Sequence, residues 1–137
     1  MRLIRDNPGG TLLRSSVVTI GNFDGLHLGH QLLIKQCKSV AGGTNPIAVV
    51  SFEPLPQAWF RPEAEPARLM SVRQKLEYLA NEAIDLTWLM RFNQSLAQMS
   101  AEDFVRVVLV ETLSATHVVV GEDFRYGARR QGDIESL

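Results

Sequence analysis

The sequence predicts an α/β fold in which a parallel sheet carries helices on both faces. The first observation is that apolar, β-branched runs alternate along the chain with segments of helical periodicity. The second is that these runs are continuously apolar, which is typical of strands buried on both faces. The 137 residues suffice for one domain with a sizeable core, so we expect a single domain over residues 1–137.

Composition argues against several classes of protein. A formal net charge of −1 gives no bulk electrostatic drive toward nucleic acid or an anionic membrane, so neither is expected as a partner. No apolar run approaches the ~18 residues of a membrane span, and no signal-peptide pattern opens the chain. The one cysteine cannot form an internal disulfide, which fits a reducing compartment. We therefore expect a globular cytoplasmic protein.

The first half of the chain holds two predicted strands. Residues 1–16 are assigned no element, and residues 17–20 form the first strand. A helix then runs from about residue 28 to residue 41, with Leu33, Cys37 and Val40 on its apolar face, and it stops at a Gly-Gly pair. Residues 47–52 form the second strand. Four prolines between residues 54 and 66 forbid regular structure there, so we expect a long loop that packs or faces a ligand.

The second half adds two helices and two strands. Ser71 is a predicted N-cap with Gln74 completing a capping box, and this helix reaches about residue 83. Residues 86–92 form the third strand, Ser100 caps the next helix, and residues 116–120 form the fourth strand. With strand order 3-2-1-4, the loops after the strands meet at the carboxyl edge, where open parallel sheets bind ligands. The predicted site consists of residues 21–30, 52–60 and 121–132.

Residues 19–30, TIGNFDGLHLGH, are the most informative about chemistry. They connect the first strand to the first helix, whose amino terminus carries unpaired N–H groups and suits a phosphate. Gly21 and Gly29 let a ligand approach the backbone. His27 and His30 lie three residues apart and share a face if the helix begins before them. Two donors that can carry positive charge beside a phosphate suit phosphoryl or nucleotidyl transfer.

Two other interpretations of the histidines stay open. H-x-x-H could supply two zinc ligands, but a zinc site needs a third and a fourth ligand. The remaining candidates lie elsewhere, because Cys37 is on the apolar helix face and His117 is at the strand end opposite the site. The two histidines could also be solvent-exposed groups at the start of a helix.

Three blocks of sequence resemble a known family. H-L-G-H resembles the HxGH signature of the nucleotidylyltransferase superfamily. The longer run G-N-F-D-G-L-H-L-G-H is similar to the adenylyltransferase domain of bacterial bifunctional riboflavin kinase/FMN adenylyltransferases, also called FAD synthetases. F-E-P-x-P at 52–56 and G-E-D-F-R-Y-G-x-x-R-x-G at 121–132 resemble two further blocks of that domain, in the same order. The resemblance implies a Rossmann-like nucleotidylyltransferase fold.

The resemblance also implies a reaction and its residues. FMN and MgATP would be the small-molecule substrates, FAD and pyrophosphate the products, and Mg²⁺ would be held mainly by the ATP phosphates and by no metal site of the protein. His27 and His30 would be catalytic. The implied ATP-binding residues are Gly21, Asn22, Phe23, Asp24 and Gly29. The implied flavin-binding residues are Phe52, Pro54, Pro56, Asp123, Phe124, Tyr126 and Arg130.

Several of these roles have a structural alternative. Asp24 is either a polar contact to the nucleotide or a turn former, and Phe124 faces the flavin or belongs to the core. Arg125, Arg129 and Arg130 hold phosphates or are solvated charges, and only Arg130 matches the family block.

The sequence departs from the family at its carboxyl end. The second superfamily signature, I-S-S-T-x-x-R, and the riboflavin kinase domain that normally follows are not among the 137 residues. We therefore expect a domain that is incomplete at its C-terminus, with weak or no turnover. The alternatives are another HxGH cytidylyl- or adenylyltransferase and a catalytically silent module that binds nucleotide or flavin. A redox Rossmann domain is disfavoured because the G-x-G-x-x-G turn is missing.

Overall fold

The computed structural model describes residues 1–23, 28–53, 71–121 and 132. Within these ranges five strands form one sheet in which every neighbouring pair is parallel. The strands are β1 (Arg2–Ile4), β2 (Ser16–Ile20), β3 (Ile47–Glu53), β4 (Leu86–Arg91) and β5 (Ala115–Val119). The helices are α1 (Leu28–Ala41), α2 (Val72–Asn81), α3 (Gln94–Ala97) and α4 (Ala101–Phe104), and α4 continues as a π-helix (Val105–Thr112).

The order of the strands is β1-β4-β3-β2-β5. The four strands predicted from sequence correspond to β2, β3, β4 and β5, so the predicted order 3-2-1-4 is confirmed. The α/β class is confirmed as well. The sheet therefore brings the carboxyl ends of β2 and β3 side by side, with β2 at the position where the direction of strand addition reverses.

Helices cover both faces of the sheet, as predicted. Successive side chains of a strand point to opposite faces, so each strand feeds two cores. One core joins odd-numbered strand residues to α1 and α2, and its members include Val17, Val49, Ile34, Cys37 and Leu79. The other joins even-numbered strand residues to α4 and the π-helix, and its members include Val18, Val50, Trp88, Phe104 and Leu109.

Strand β1 is an element that the sequence did not predict. Its three residues pair with β4 in the register Arg2 with Leu86 and Ile4 with Trp88. Arg2 and Leu3 are exposed, so the segment has neither the apolar run nor the alternation that marks a strand. Pairing with β4 determines its conformation.

Helix α1 has the predicted ends but a shifted apolar face. The buried positions are Ile34, Cys37 and Ala41, whereas Val40 is 42% exposed. The prediction that Val40 faces the core was therefore wrong. Both residues of the Gly42-Gly43 pair have positive φ, +60° and +80°, which confirms them as the stop signal.

Helix α2 begins with the predicted capping box and ends earlier than predicted. Ser71 Oγ accepts from the N–H of Gln74, and the Gln74 side chain accepts from the N–H of Ser71. The helix ends at Asn81, and Ala83 follows in the left-handed conformation with φ +61°. The N–H of Ile84 reaches the carbonyl of Leu79 and that of Ala83 reaches the carbonyl of Ala80, which is a Schellman motif.

The last helical segment differs from the predicted single α-helix. Ser100 Oγ accepts from the N–H of Asp103, so the predicted cap is confirmed. Beyond Phe104 the backbone widens into the π-helix, where Thr112 Oγ1 donates to the carbonyl of Val107. His117 is exposed near the start of β5, as predicted.

Candidate active site

The turn after β2 is strained and tightly packed. Gly21 continues the sheet, because its N–H donates to the carbonyl of Val50 at 3.0 Å. Phe23 has φ +50°, a left-handed conformation that is an outlier for a bulky residue. A Cβ on Gly21 would lie 3.1 Å from Cε2 of Phe23, so the absence of a side chain at 21 makes room for the ring. Strain of this kind persists only where the surroundings over-determine the backbone.

Phe23 connects the turn to the first turn of α1. Its ring is fully buried in the core that α1 and α2 form with the sheet. The ring centroid lies 4.9 Å from that of His30, with the planes tilted by 39°. His30 is half-buried in the first turn of α1, so the imidazole stands between the core and the carboxyl edge of the sheet.

A buried lysine lies beneath the turn. Lys75 of α2 is 1% exposed, although lysine is almost never fully buried. Its ammonium donates to the carbonyl of Asn22 at 2.9 Å and to Ser51 Oγ at 3.0 Å. It also lies 3.5 Å from the carbonyl of Phe52 and 3.8 Å from a carboxylate oxygen of Glu53. An ammonium can donate three hydrogen bonds, and these acceptors belong to the ends of two neighbouring strands.

Ser51 completes the link between the two strand ends. Its hydroxyl donates to the carbonyl of Asn22 at 3.0 Å and accepts from Lys75. Asn22 therefore receives two hydrogen bonds on one carbonyl oxygen. The structure brings together the described parts of the first two predicted segments, at residues 21–23 and 52–53.

Phe52 lies on the side of the sheet opposite Phe23. It packs against the core that α4 and the π-helix form with the sheet. Its ring makes an edge-to-face contact with Phe92, at a centroid distance of 5.9 Å. Aromatic pairs with this geometry stabilise a fold beyond their buried area, so Phe52 has a packing role in addition to its predicted contact with flavin.

The described residues include part of the predicted site. They include His30, Gly21, Asn22, Phe23, Gly29 and Phe52, all at the carboxyl edge or in the first turn of α1. Other predicted site residues lie outside the described ranges, namely His27, Asp24, Pro54, Pro56, Asp123, Phe124, Tyr126 and Arg130. Of the third segment the structure describes Gly121, which is exposed, and Gly132, which is buried.

Sequence reasoning missed Lys75 and its contacts. The one signal for it was its spacing of four residues before the buried Leu79, which puts both side chains on the core-facing side of α2. A lysine on the core-facing side of a helix is unusual, because lysine is almost never fully buried unless it is paired.

The described ranges contain neither a cluster of metal-ligating side chains nor a helix suited to crossing a membrane. Over residues 1–23, 28–53, 71–121 and 132, no group of three or more His, Cys, Asp or Glu side chains could hold a metal ion. None of the helices in the same ranges is both long and apolar enough to cross a membrane.

Comparison with known proteins gives a consistent set of relatives. A family model described as FAD synthetase matches residues 11–137. The chain is 40% identical over 137 residues to the bifunctional riboflavin kinase/FMN adenylyltransferase of Escherichia coli K12, covering 98% of this chain and 44% of that protein. It is 36% identical over 139 residues to the protein of the same name from Buchnera aphidicola subsp. Schizaphis graminum, covering 100% of this chain and 45% of the relative. The chain thus spans less than half the length of these relatives.

A solved structure supports the fold. A protein from Streptococcus pneumoniae described as a macrolide-efflux protein aligns with a TM-score of 0.81 and 25% sequence identity. The alignment covers 98% of this chain and 45% of that one.

Proposed function

The chain belongs to the FAD synthetase family, and from that premise we propose that it transfers the adenylyl group of ATP to FMN, forming FAD and releasing pyrophosphate. The family match over residues 11–137 carries the proposal. The relatives' names, which state FMN adenylyltransferase activity, support it.

Adenylyl transfer to FMN requires that the two substrates be positioned and that the developing negative charge be stabilised. The FMN phosphate attacks the α-phosphorus of ATP, the bond from that phosphorus to the bridging oxygen breaks, and pyrophosphate leaves. The FMN phosphate is already ionised at neutral pH, so the step needs no general base. Negative charge grows on the α-phosphate oxygens and on the leaving pyrophosphate. Donors at the amino end of α1 suit that charge.

His30 and His27 are the proposed donors to the ATP phosphates. His30 is in the first turn of α1, next to the strained Gly21–Phe23 turn. In the proposal Gly21, Asn22 and Phe23 shape the nucleotide pocket, together with Asp24 and Gly29. Mg²⁺ is proposed to arrive with ATP and to neutralise its phosphates, because this ion usually keeps its waters and binds through substrate phosphates.

The flavin is proposed to bind beside the nucleotide, at the ends of β3 and β5. The proposed contacts are Phe52, Pro54, Pro56, Asp123, Phe124, Tyr126 and Arg130. Aromatic and proline faces suit a flat isoalloxazine ring, and an arginine suits a phosphate.

For the whole protein we propose a second activity and a location. The relatives are named as riboflavin kinases as well, so the complete protein is proposed to phosphorylate riboflavin and then adenylylate the product. The cytoplasm is the proposed compartment, which suits a chain whose one cysteine is buried in the core.

The proposal is tested with ATP analogues that separate the two activities. The complete product of the gene is incubated with FMN and β,γ-imido ATP, which keeps the α–β phosphate bridge needed for adenylyl transfer and blocks transfer of the γ-phosphate. We expect FAD from FMN, none from riboflavin, and none from FMN with α,β-methylene ATP.

Other substrates define the outcomes that contradict the proposal. CTP with glycerol phosphate and ATP with pantetheine phosphate are offered in parallel, and CDP-glycerol or dephospho-CoA in place of FAD would indicate another nucleotidylyltransferase. Binding of ATP or FMN without any product would indicate a silent binding module.

A further inference from the structure

We propose that Lys75 is a positioning residue for adenylyl transfer, which locks the peptide plane between Asn22 and Phe23 and thereby fixes the nucleotide turn and the His30 ring. The inference rests on the proposed function. Lys75 is a member of helix α2, which contributes none of the site residues predicted from the sequence.

The geometry of the peptide explains how Lys75 could act. The Asn22 carbonyl oxygen lies in the plane of the Asn22–Phe23 peptide bond. Fixing that oxygen fixes the plane, and the plane sets φ of Phe23, which is +50°. Lys75 Nζ at 2.9 Å and Ser51 Oγ at 3.0 Å both hold the oxygen.

The position of the Phe23 ring then decides the position of His30. The two ring centroids lie 4.9 Å apart, so a rotation of the Asn22–Phe23 peptide would displace the surface against which the imidazole packs. Lys75 is thus connected to His30 through two contacts, first to Asn22 and then from Phe23 to the imidazole.

The energetic setting favours a role at the site over a role in the core. Burying an ammonium is unfavourable unless hydrogen bonds and an opposite charge compensate it. An apolar residue would fill the same space under α2 without that penalty. The acceptors Asn22, Ser51, Phe52 and Glu53 lie at the ends of β2 and β3, where the ligand is proposed to bind. Because the ammonium is enclosed, Lys75 acts through the turn and does not contact substrate.

The test replaces Lys75 by methionine in the complete product of the gene. Methionine has nearly the same shape, and Ser51 still donates to the Asn22 carbonyl, so we expect the fold to survive. The matched control is Lys38→Met. Lys38 is exposed, and its ammonium pairs with the carboxylate of Glu82 at a distance of 2.8 Å, so this lysine is not part of the turn after β2.

We expect Lys75→Met to raise KM for ATP about tenfold or more, as expected when a preorganised site loosens. The ring protons of His30 should shift in the NMR spectrum, because the contact with the Phe23 ring at 4.9 Å changes. Lys38→Met should change neither quantity. A purely structural role would instead reduce the amount of folded protein and leave KM and the His30 resonance as they are.

The remaining outcomes decide between the proposals. Wild-type KM and His30 resonance in a folded Lys75→Met protein would overturn this inference while FAD formation still supported the proposed function. If Lys75→Met does not fold, Ser51→Ala decides, since it removes the other donor to Asn22 and should raise KM about threefold. Unchanged kinetics in that variant would overturn the inference. A wild-type protein that forms no FAD would remove both proposals together.

Discussion

His30 is the described residue with the most direct proposed contact to ATP. It lies in the first turn of α1, half-buried against Phe23, where its ring could donate to a phosphate. We predict that His30→Ala lowers the rate of FAD formation about 10²–10³-fold, because one preorganised donor to the developing charge is lost. Steady-state kinetics measure this, with the melting temperature recorded in parallel.

His117→Ala is the matched control for that substitution. His117 is exposed near the start of β5, at the amino edge of the sheet, and its ring nitrogen meets the hydroxyl of Thr116. We expect wild-type rates from this variant. If the His30→Ala enzyme formed FAD at a rate within about threefold of the wild-type rate, the proposed role of His30 would be contradicted.

Cys37 predicts a pH dependence of stability. Burial raises the pKa of its thiol from 9.0 to about 11. Between those values the unfolded chain has lost a proton that the folded chain retains, so the free energy of unfolding falls as pH rises. The slope is at most about 1.4 kcal/mol per pH unit.

The measurement is urea unfolding of wild type and Cys37→Ala on both sides of pH 9 and up to about pH 11. The difference between the two proteins removes the contribution of other titrating groups. It should be constant below pH 9 and should shrink toward pH 11. A difference that does not change with pH would show that the thiol ionises equally in both states.

The residue scale also shows where sequence reasoning stops. The glycines and histidines of 21–30 were identified because their types and spacing are unusual. Lys75 was not identified from the sequence, because a lysine on a helix normally points to solvent. Only the folded structure shows that this lysine is buried under the ends of two strands. Its spacing from Leu79 indicates the core-facing side of α2, but its contacts with the strand ends have no local signature.

At the scale of the element, helix α2 ends in a residue that suits its position poorly. Ala83 occupies the left-handed position of the Schellman motif, φ +61°, which favours glycine. We predict that Ala83→Gly stabilises the protein by about 0.5–1 kcal/mol, because the relief of backbone strain exceeds the added entropy of the unfolded chain. Thermal and urea unfolding measure the change.

Ala80→Gly gives the opposite expectation on the same helix. Ala80 is exposed and lies in the last turn of α2 with helical backbone, so glycine there should destabilise the protein by up to about 0.5–1 kcal/mol. Equal effects of the two substitutions would mean that the conformation at residue 83 does not govern stability.

The elements were predictable where local signals were strong. The capping residues Ser71 and Ser100 and the stop at Gly42 all stand where the sequence placed them. The three-residue strand β1 and the widening of α4 into a π-helix were not predicted, because neither the isolated Arg-Leu-Ile run nor the mostly apolar run Val105–Thr112 carries a sign of its conformation. Tertiary contacts decide both.

At the scale of the whole molecule, the strand order predicts a gradient of local stability. β2 and β3 are central and buried along most of their length, whereas β1 is a short strand at one edge of the described sheet. We predict that the amides of β1 exchange with solvent about tenfold or more faster than those of β3, because local opening exposes little apolar surface there.

Native-state hydrogen exchange measures this gradient. Adding a low concentration of denaturant should leave the exchange of β1 nearly unchanged, since fraying does not require global unfolding, and should accelerate the exchange of β3. Equal protection of the two strands would mean that the sheet opens as one cooperative unit.

The overall arrangement was the most predictable part of the molecule. Alternation of strands and helices fixes a parallel sheet, and the rules for such sheets leave few possible orders. The observed order of the four long strands is the expected one, and it is among the few that those rules allow. The contacts across the carboxyl edge could not be predicted from the sequence, because they depend on side-chain geometry that only the assembled sheet provides.

The pairing of β1 with β4 also has a consequence during synthesis on the ribosome. Arg2 lies opposite Leu86 and Ile4 opposite Trp88, so the residues of β1 have no partner strand until more than eighty further residues have been synthesised. The pairing of β1 with β4 must therefore be a late event in the synthesis of the chain, after β2 and β3 have had time to pair.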